Sequence, residues 1–502
     1  MEHYTNRNKK ELKRKNCLYC LLPAVGTVFC LAYILAATRD VVYSDYIRLI
    51  NSYLPDVWNP DKFFVADIVT RMPVNFIERI INVTFFDYST TFEMVLGVLC
   101  LGAAGLVLAA YCRERQVGVV WYLMLMAVFF SLNKWEMLTN GTGWCHFLAF
   151  AGFYYHYVLW DRVWKRQEKK LMTLEKRKQD QRERRLLMLL PWLIILGTAG
   201  PYCGAYAAVL ILTYGFCLLI EWKRTKQADR RILCYMGNVL APMCLYLVSS
   251  SFAVSEHAGA TGRSISQVMG DNFMLFPKFI LKSLSSMVVG SEPMLDFLAK
   301  LDKGMALCYL AGAVVLAGYG LALWMQMKRK LYRVSVFPLM LLLWGGLNHL
   351  LVLAARWIFE NSDYGMSSRY ALQYQVGILG MLLTFALVWK LRREGRRSTA
   401  KPEIRQKTGR SAVWSVSRLE MAAAIVISAV ILCGNVYTTC KEVEKAPNRR
   451  QYAAEVEQVL LNYRETDDEV LEKQLQYHKG TDKIRRALQI LEEQNWNVYG
   501  GN

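Results

Sequence analysis

The chain has 502 residues, 54% of them hydrophobic and only 20% charged, and 61 Lys and Arg against 41 Asp and Glu leave a formal net charge of +20. This balance excludes an ordinary soluble globular enzyme. The positive charge does not point to nucleic acid either, because it sits in short clusters between long apolar runs, the pattern of a polytopic membrane protein.

A helix needs about twenty apolar residues to cross a bilayer, since every backbone N–H and C=O must be paired within the segment. In chain order, the runs at 17–37, 93–112, 117–132, 144–160, 186–199, 204–220, 232–252, 304–325, 334–354, 370–389 and 416–434 reach or approach that length. They predict an all-α protein with about eleven transmembrane helices. The first run follows a basic tail and is too long for a cleaved signal, so it is expected to stay as an anchor. Between the fifth and sixth runs, Gly200-Pro201-Tyr202-Cys203-Gly204 breaks the helix.

Lys and Arg dominate the segments 1–16, 113–116, 161–185, 221–231, 326–333 and 390–415, which assigns these and the N-terminus to the cytoplasm. An odd number of spans then puts the C-terminus outside. The expected organisation is a basic tail over 1–16, a membrane domain over 17–434 with outer loops at 38–92 and 253–303, and a small extracytoplasmic helical region over 435–502. In that last region, Val456, Val459, Leu460 and Tyr463, and then Ile484 to Leu491, repeat with helical spacing. In the second outer loop, Asn272 to Val289 suits a helix lying in the interface.

The chain has no phosphate-binding loop, no His-Glu-x-x-His, no Gly-x-Ser-x-Gly and no Gly-x-Gly-x-x-Gly. Most of its 13 cysteines lie in apolar runs, and Cys17-Leu18-Tyr19-Cys20 has no second pair to complete a metal site. His146 and His156 share a helix face about 15 Å apart, too far to ligate one metal.

The polar residues that remain gather on the predicted outer side. Asp40 and Asp45 follow the first span, where an acid can act as a general base or help hold a divalent cation. Trp135 and Glu136 lie in the loop between the third and fourth spans. Arg71, Arg356 and Arg369, the last beside Tyr370, can clamp phosphate oxygens through two hydrogen bonds each.

An acid just past the first span, a long first outer loop, many spans and an outer C-terminal region together resemble the GT-C superfamily of polytopic glycosyltransferases. The tract from Phe130 to Arg162, the Ser368-Arg369-Tyr370 start of a late span and the ending from Ala487 to Tyr499 resemble bacterial membrane proteins associated with cell-surface polysaccharide synthesis. The resemblance implies a multi-pass enzyme of a bacterial plasma membrane. Its donor would be a polyprenyl-phosphate-linked sugar, and its partners membrane lipids and other polysaccharide-assembly proteins. It further implies Asp45 as base, with Asp40 second, Arg71 and Arg369 on the lipid phosphate, and Trp135 with Glu136 lining the sugar cavity. The adjacent acid pair of many GT-C first loops is missing, since four residues separate Asp40 from Asp45. The competing readings are a carrier or flippase for a lipid-linked glycan and a scaffold without chemistry of its own.

Overall fold

The computed structural model describes residues 2–64, 73–167, 174–198, 200–250, 260–300, 304–399 and 417–500. Arg71 and His257 lie outside the described residues. Within them the chain is helical and forms no strand. The helices are α1 (Glu2–Ala37), α2 (Asp45–Tyr53), α3 (Pro73–Phe86), α4 (Thr90–Glu114), α5 (Val119–Phe129), α6 (Trp135–Thr139) and α7 (Trp144–Gln167). They continue as α8 (Leu174–Trp192), α9 (Cys203–Thr225), α10 (Arg230–Ser250), α11 (Ile265–Asp271), α12 (Leu275–Ser285), α13 (Ser291–Leu298) and α14 (Gly304–Lys328). The series ends with α15 (Phe337–Arg356), α16 (Ala371–Thr399), α17 (Arg418–Leu461), α18 (Asp468–Gln474) and α19 (Thr481–Gln494).

Among the described residues, eight helices are long and apolar enough to cross a membrane, drawn from α1, α4, α9, α10, α14, α15, α16 and α17. The other three predicted spans fall on elements that miss one requirement or the other. Helix α5 has only 11 residues, about 16 Å at 1.5 Å per residue. Helix α7 carries Asp161, Arg162, Lys165 and Arg166 in its last third. Helix α8 is charged over most of its length and turns apolar only as it runs into a π-helical turn at Leu193–Thr198.

A buried lysine accounts for where α5 stops. The Lys134 ammonium, fully buried, donates to the carbonyls of Phe129 at 2.7 Å and Ser131 at 2.9 Å and to Gln375 Oε1 at 3.2 Å. The carbonyls freed at the helix end are thereby satisfied inside the bundle, where water cannot reach them. The chain then turns into α6 and delivers Trp135 and Glu136 to the end of the bundle.

The remaining helices pack where side chains are smallest. Helices α15 and α16 cross at Gly345 and Gly377, where a Cβ on Gly345 would strike the Gly377 backbone and one on Gly377 would strike the Tyr319 hydroxyl. At one end of the bundle, Asp161 is 1% exposed and bonds Arg115, the Ser335 hydroxyl at 2.9 Å and the Val336 N–H at 2.7 Å. It so caps the start of α15 and ties it to α4 and α7.

The opposite end carries a second core. Val42, Ile47, Ile50 and Tyr53 of the segment 38–92 pack with Val456 and Leu460 of α17 and with Leu471, Ile484, Leu488 and Leu491. The helical spacing expected over 452–463 and 484–491 is present in α17 and α19. The boundary at 434 falls inside α17, a single helix of 44 residues that runs from the bundle into this outer layer. Helix α12 lies in the stretch expected at the interface. Its Lys282 is buried and donates to Ser362 Oγ at 2.9 Å and Asp363 Oδ1 at 2.5 Å, while Ser283 bonds His349 at 2.8 Å.

Candidate functional site

At this second end the end of α1, the start of α4, helix α6, the turn before α16 and the 445–456 stretch of α17 border a hollow of about 430 Å³. Helix α17 supplies Lys445, Asn448, Arg449 and Tyr452, spaced three and four apart and therefore on one face. Helix α6 supplies Trp135 and Glu136, the turn Ser368–Tyr370 just before α16 supplies Arg369, and the segment after α1 supplies Arg39, Tyr43 and Tyr46.

These groups are held in a network. Glu136 accepts from the Ser368 hydroxyl at 2.7 Å and from the Arg369 guanidinium. The Arg449 guanidinium lies 3.2 Å from the centre of the Trp135 ring and donates to Glu442 at 2.5 Å and Glu292 at 2.9 Å. Lys445 donates to Glu292 at 3.2 Å and Asp296 at 2.8 Å. Burial, with the Glu136 carboxylate adding to it, pushes the Tyr43 phenol up to about 12, so Tyr43 is a neutral hydroxyl donor at physiological pH. Four cations, two acids and several aromatic faces thus meet in one water-accessible space. Each of the four cations is already paired, Arg39 with Glu457, Arg369 with Glu136, Lys445 with Glu292 and Asp296, and Arg449 with Glu292 and Glu442, so an anionic ligand binds here by drawing one of them from its carboxylate.

Of the residues singled out by sequence, Trp135, Glu136 and Arg369 line the hollow. Asp45 does not. Its side chain is 47% exposed, 3.6 Å from Arg48, and it lines a smaller cavity of about 30 Å³ with Asn75, Glu78, Arg79 and Glu93. Tyr46, which lines the hollow, donates its hydroxyl at 2.6 Å to Glu93, a residue of the smaller cavity. Asp45 is still close enough to Arg369 to act on it electrostatically.

Asp40 is occupied otherwise. Its carboxylate accepts from Ser89 Oγ at 2.6 Å, from the Thr90 N–H at 2.7 Å and hydroxyl at 2.8 Å, and from Asn497 Nδ2 at 3.0 Å. It fastens the start of α4 to the C-terminal segment, which makes it a positioning group and not a free base. Arg356 and Tyr370 pair with each other, Nε to Oη at 2.6 Å, outside the lining of the hollow.

Among the described residues, no group of three or more His, Cys, Asp or Glu side chains is arranged to hold a metal ion. His146 packs edge-on against Tyr202 with ring centres 4.6 Å apart, and His156 bonds the Tyr206 hydroxyl, so both are core residues. Sequence reasoning missed Tyr43, Glu292, Lys445, Arg449 and Tyr452. The α17 residues had a usable signal, because 445, 449, 452 and 456 continue the face of the last span without a change of phase. The chain matches no protein-family model, no curated protein and no solved structure.

Proposed function

We propose that the chain is a multi-pass membrane glycosyltransferase of the GT-C kind, which takes a sugar from a polyprenyl-phosphate donor and adds it to a cell-surface glycan or lipid acceptor on the outer side of the membrane. The observation that carries this reading is the convergence of Arg369, Arg449 and Lys445 with Glu136 and Trp135 on one hollow at an end of the bundle. In this reading the N-terminus is cytoplasmic, the hollow faces outward, and the chain passes the bilayer about eleven times if the short and polar elements α5, α7 and α8 pass within the shelter of the bundle.

The donor phosphate docks on Arg369 and draws its guanidinium from Glu136. The freed carboxylate takes the proton of the acceptor hydroxyl as that oxygen bonds to the anomeric carbon. The bond from the anomeric carbon to the phosphate oxygen breaks, and the departing polyprenyl phosphate keeps the electron pair and is stabilised by Arg369, Arg449 and Lys445. The Trp135 face, already backed by Arg449, carries the sugar ring. Glu136 therefore replaces Asp45 as the preferred base, with Asp45 left to tune the charge of Arg369.

A carrier reading finds less support. The long apolar helices hold few charged residues within their apolar windows, where a carrier needs them to line a path open to both sides. The test is the sugar composition of the surface glycan in cells that carry Glu136→Gln at wild-type protein level. Loss of one sugar is the expected result, and an unchanged glycan would overturn the assignment of Glu136.

A further inference from the structure

A second and larger cavity, about 1090 Å³, opens on the flank of the bundle at the end opposite the hollow, between α1, α5, α16 and α17. Three cations gather at its mouth: Arg113 from the end of α4, and Lys390 and Arg393 from α16. Lys390 donates to the Arg115 carbonyl at 2.7 Å and lies 3.8 Å from Glu394, the one acid in the lining. Arg113 and Arg393 are exposed and form no ion pair with any carboxylate among the described residues. Deeper in, the walls are apolar, with Trp121 and Met124 of α5, Trp389 of α16, and Ile425 and Leu432 of α17.

A cationic mouth above an apolar trough is the shape complement of a lipid. The trough follows α17 from Ile425 to Cys433, about 12 Å by helical rise, enough for the upper part of an acyl chain. The cations sit beside the basic segments 113–116 and 390–415, so the mouth lies at headgroup level on that side. We infer that this groove is a binding site for a membrane phospholipid with a net anionic phosphate headgroup, held by Arg113 and Arg393 with one chain laid against Trp121, Met124 and Leu432. The inference is independent of what the hollow binds.

The experiment uses the full chain in nanodiscs of phosphatidylcholine doped with phosphatidylglycerol, with retained lipid read by native mass spectrometry. Wild type is expected to retain phosphatidylglycerol over phosphatidylcholine by about thirty-fold, the preference two unpaired basic groups give at a membrane surface. Arg113→Gln with Arg393→Gln should erase the preference, and both side chains are exposed, so the fold should survive. Arg392→Gln, outside the groove, should leave it intact. Ala429→Trp, which fills the trough, should reduce retention of both lipids. Equal retention of the two lipids by wild type, a preference that persists in the double variant, or displacement of phosphatidylglycerol by inorganic phosphate alone would each overturn the proposal.

Discussion

Glu136 and Asp161 are both carboxylates bonded to an arginine, but one borders a hollow and the other is dry. The Glu136 side chain is 24% exposed at the hollow, where the proposed mechanism has a donor phosphate draw off its partner. Asp161 is 1% exposed and spends its bonds on Arg115 and on the start of α15. Asp161→Ala should therefore cost about 3–5 kcal/mol, because it leaves the Arg115 charge buried without a counter-charge; thermal unfolding in detergent checks this. Glu136→Gln should change that unfolding little while removing about 100-fold or more of the transfer rate. Glu78 offers a pH test. Burial, and then the neighbouring Glu93, hold its carboxyl well above the ordinary 4.5. The folded state keeps a proton that the unfolded chain releases, so this contribution to stability is complete below pH 4.5 and is lost as pH rises through the folded-state value. Glu78→Gln should flatten that loss in unfolding curves recorded from about pH 4 to 9.

At the scale of elements, the long apolar helices were legible because a bilayer demands length and hydropathy, and both can be counted. The exceptions have local causes that counting does not register. Helix α5 ends early because Lys134 satisfies the carbonyls of its last turn from within. Helix α17 does not end at the membrane boundary, because its polar continuation packs Val456 and Leu460 into the outer core and aims Lys445, Arg449 and Tyr452 at the hollow. Taking 435–502 as a separate small helical region left the 445–456 stretch out of the lining, whereas Trp135, Glu136 and Arg369 stood out at span ends. Asp40 is a related case: its capping bonds reach Thr90 and Asn497, a relation no local pattern encodes. Tight contact between α15 and α16 gives a further test. Gly377→Leu should destabilise the chain by about 1–3 kcal/mol or more through overpacking against Tyr319, read as a fall in unfolding temperature.

For the whole molecule, the two ends of the bundle differ in kind. One is tied by Asp161 and flanked by basic segments; the other builds an outer layer from the first loop and the C-terminal helices, with the hollow beneath it. The proposed orientation predicts that, in a background without exposed cysteines, Glu469→Cys reacts with a membrane-impermeant maleimide in intact cells and Lys226→Cys only after permeabilisation. The central claim is that the outer hollow receives a polyprenyl phosphate on Arg369. It is tested most directly by titrating polyprenyl monophosphate, the common product whatever the sugar, into the full chain in nanodiscs. Wild type and Arg263→Gln, an arginine of the second outer loop away from the hollow, should bind alike, and Arg369→Gln should bind about tenfold or more weakly. Equal binding by Arg369→Gln and wild type would contradict it.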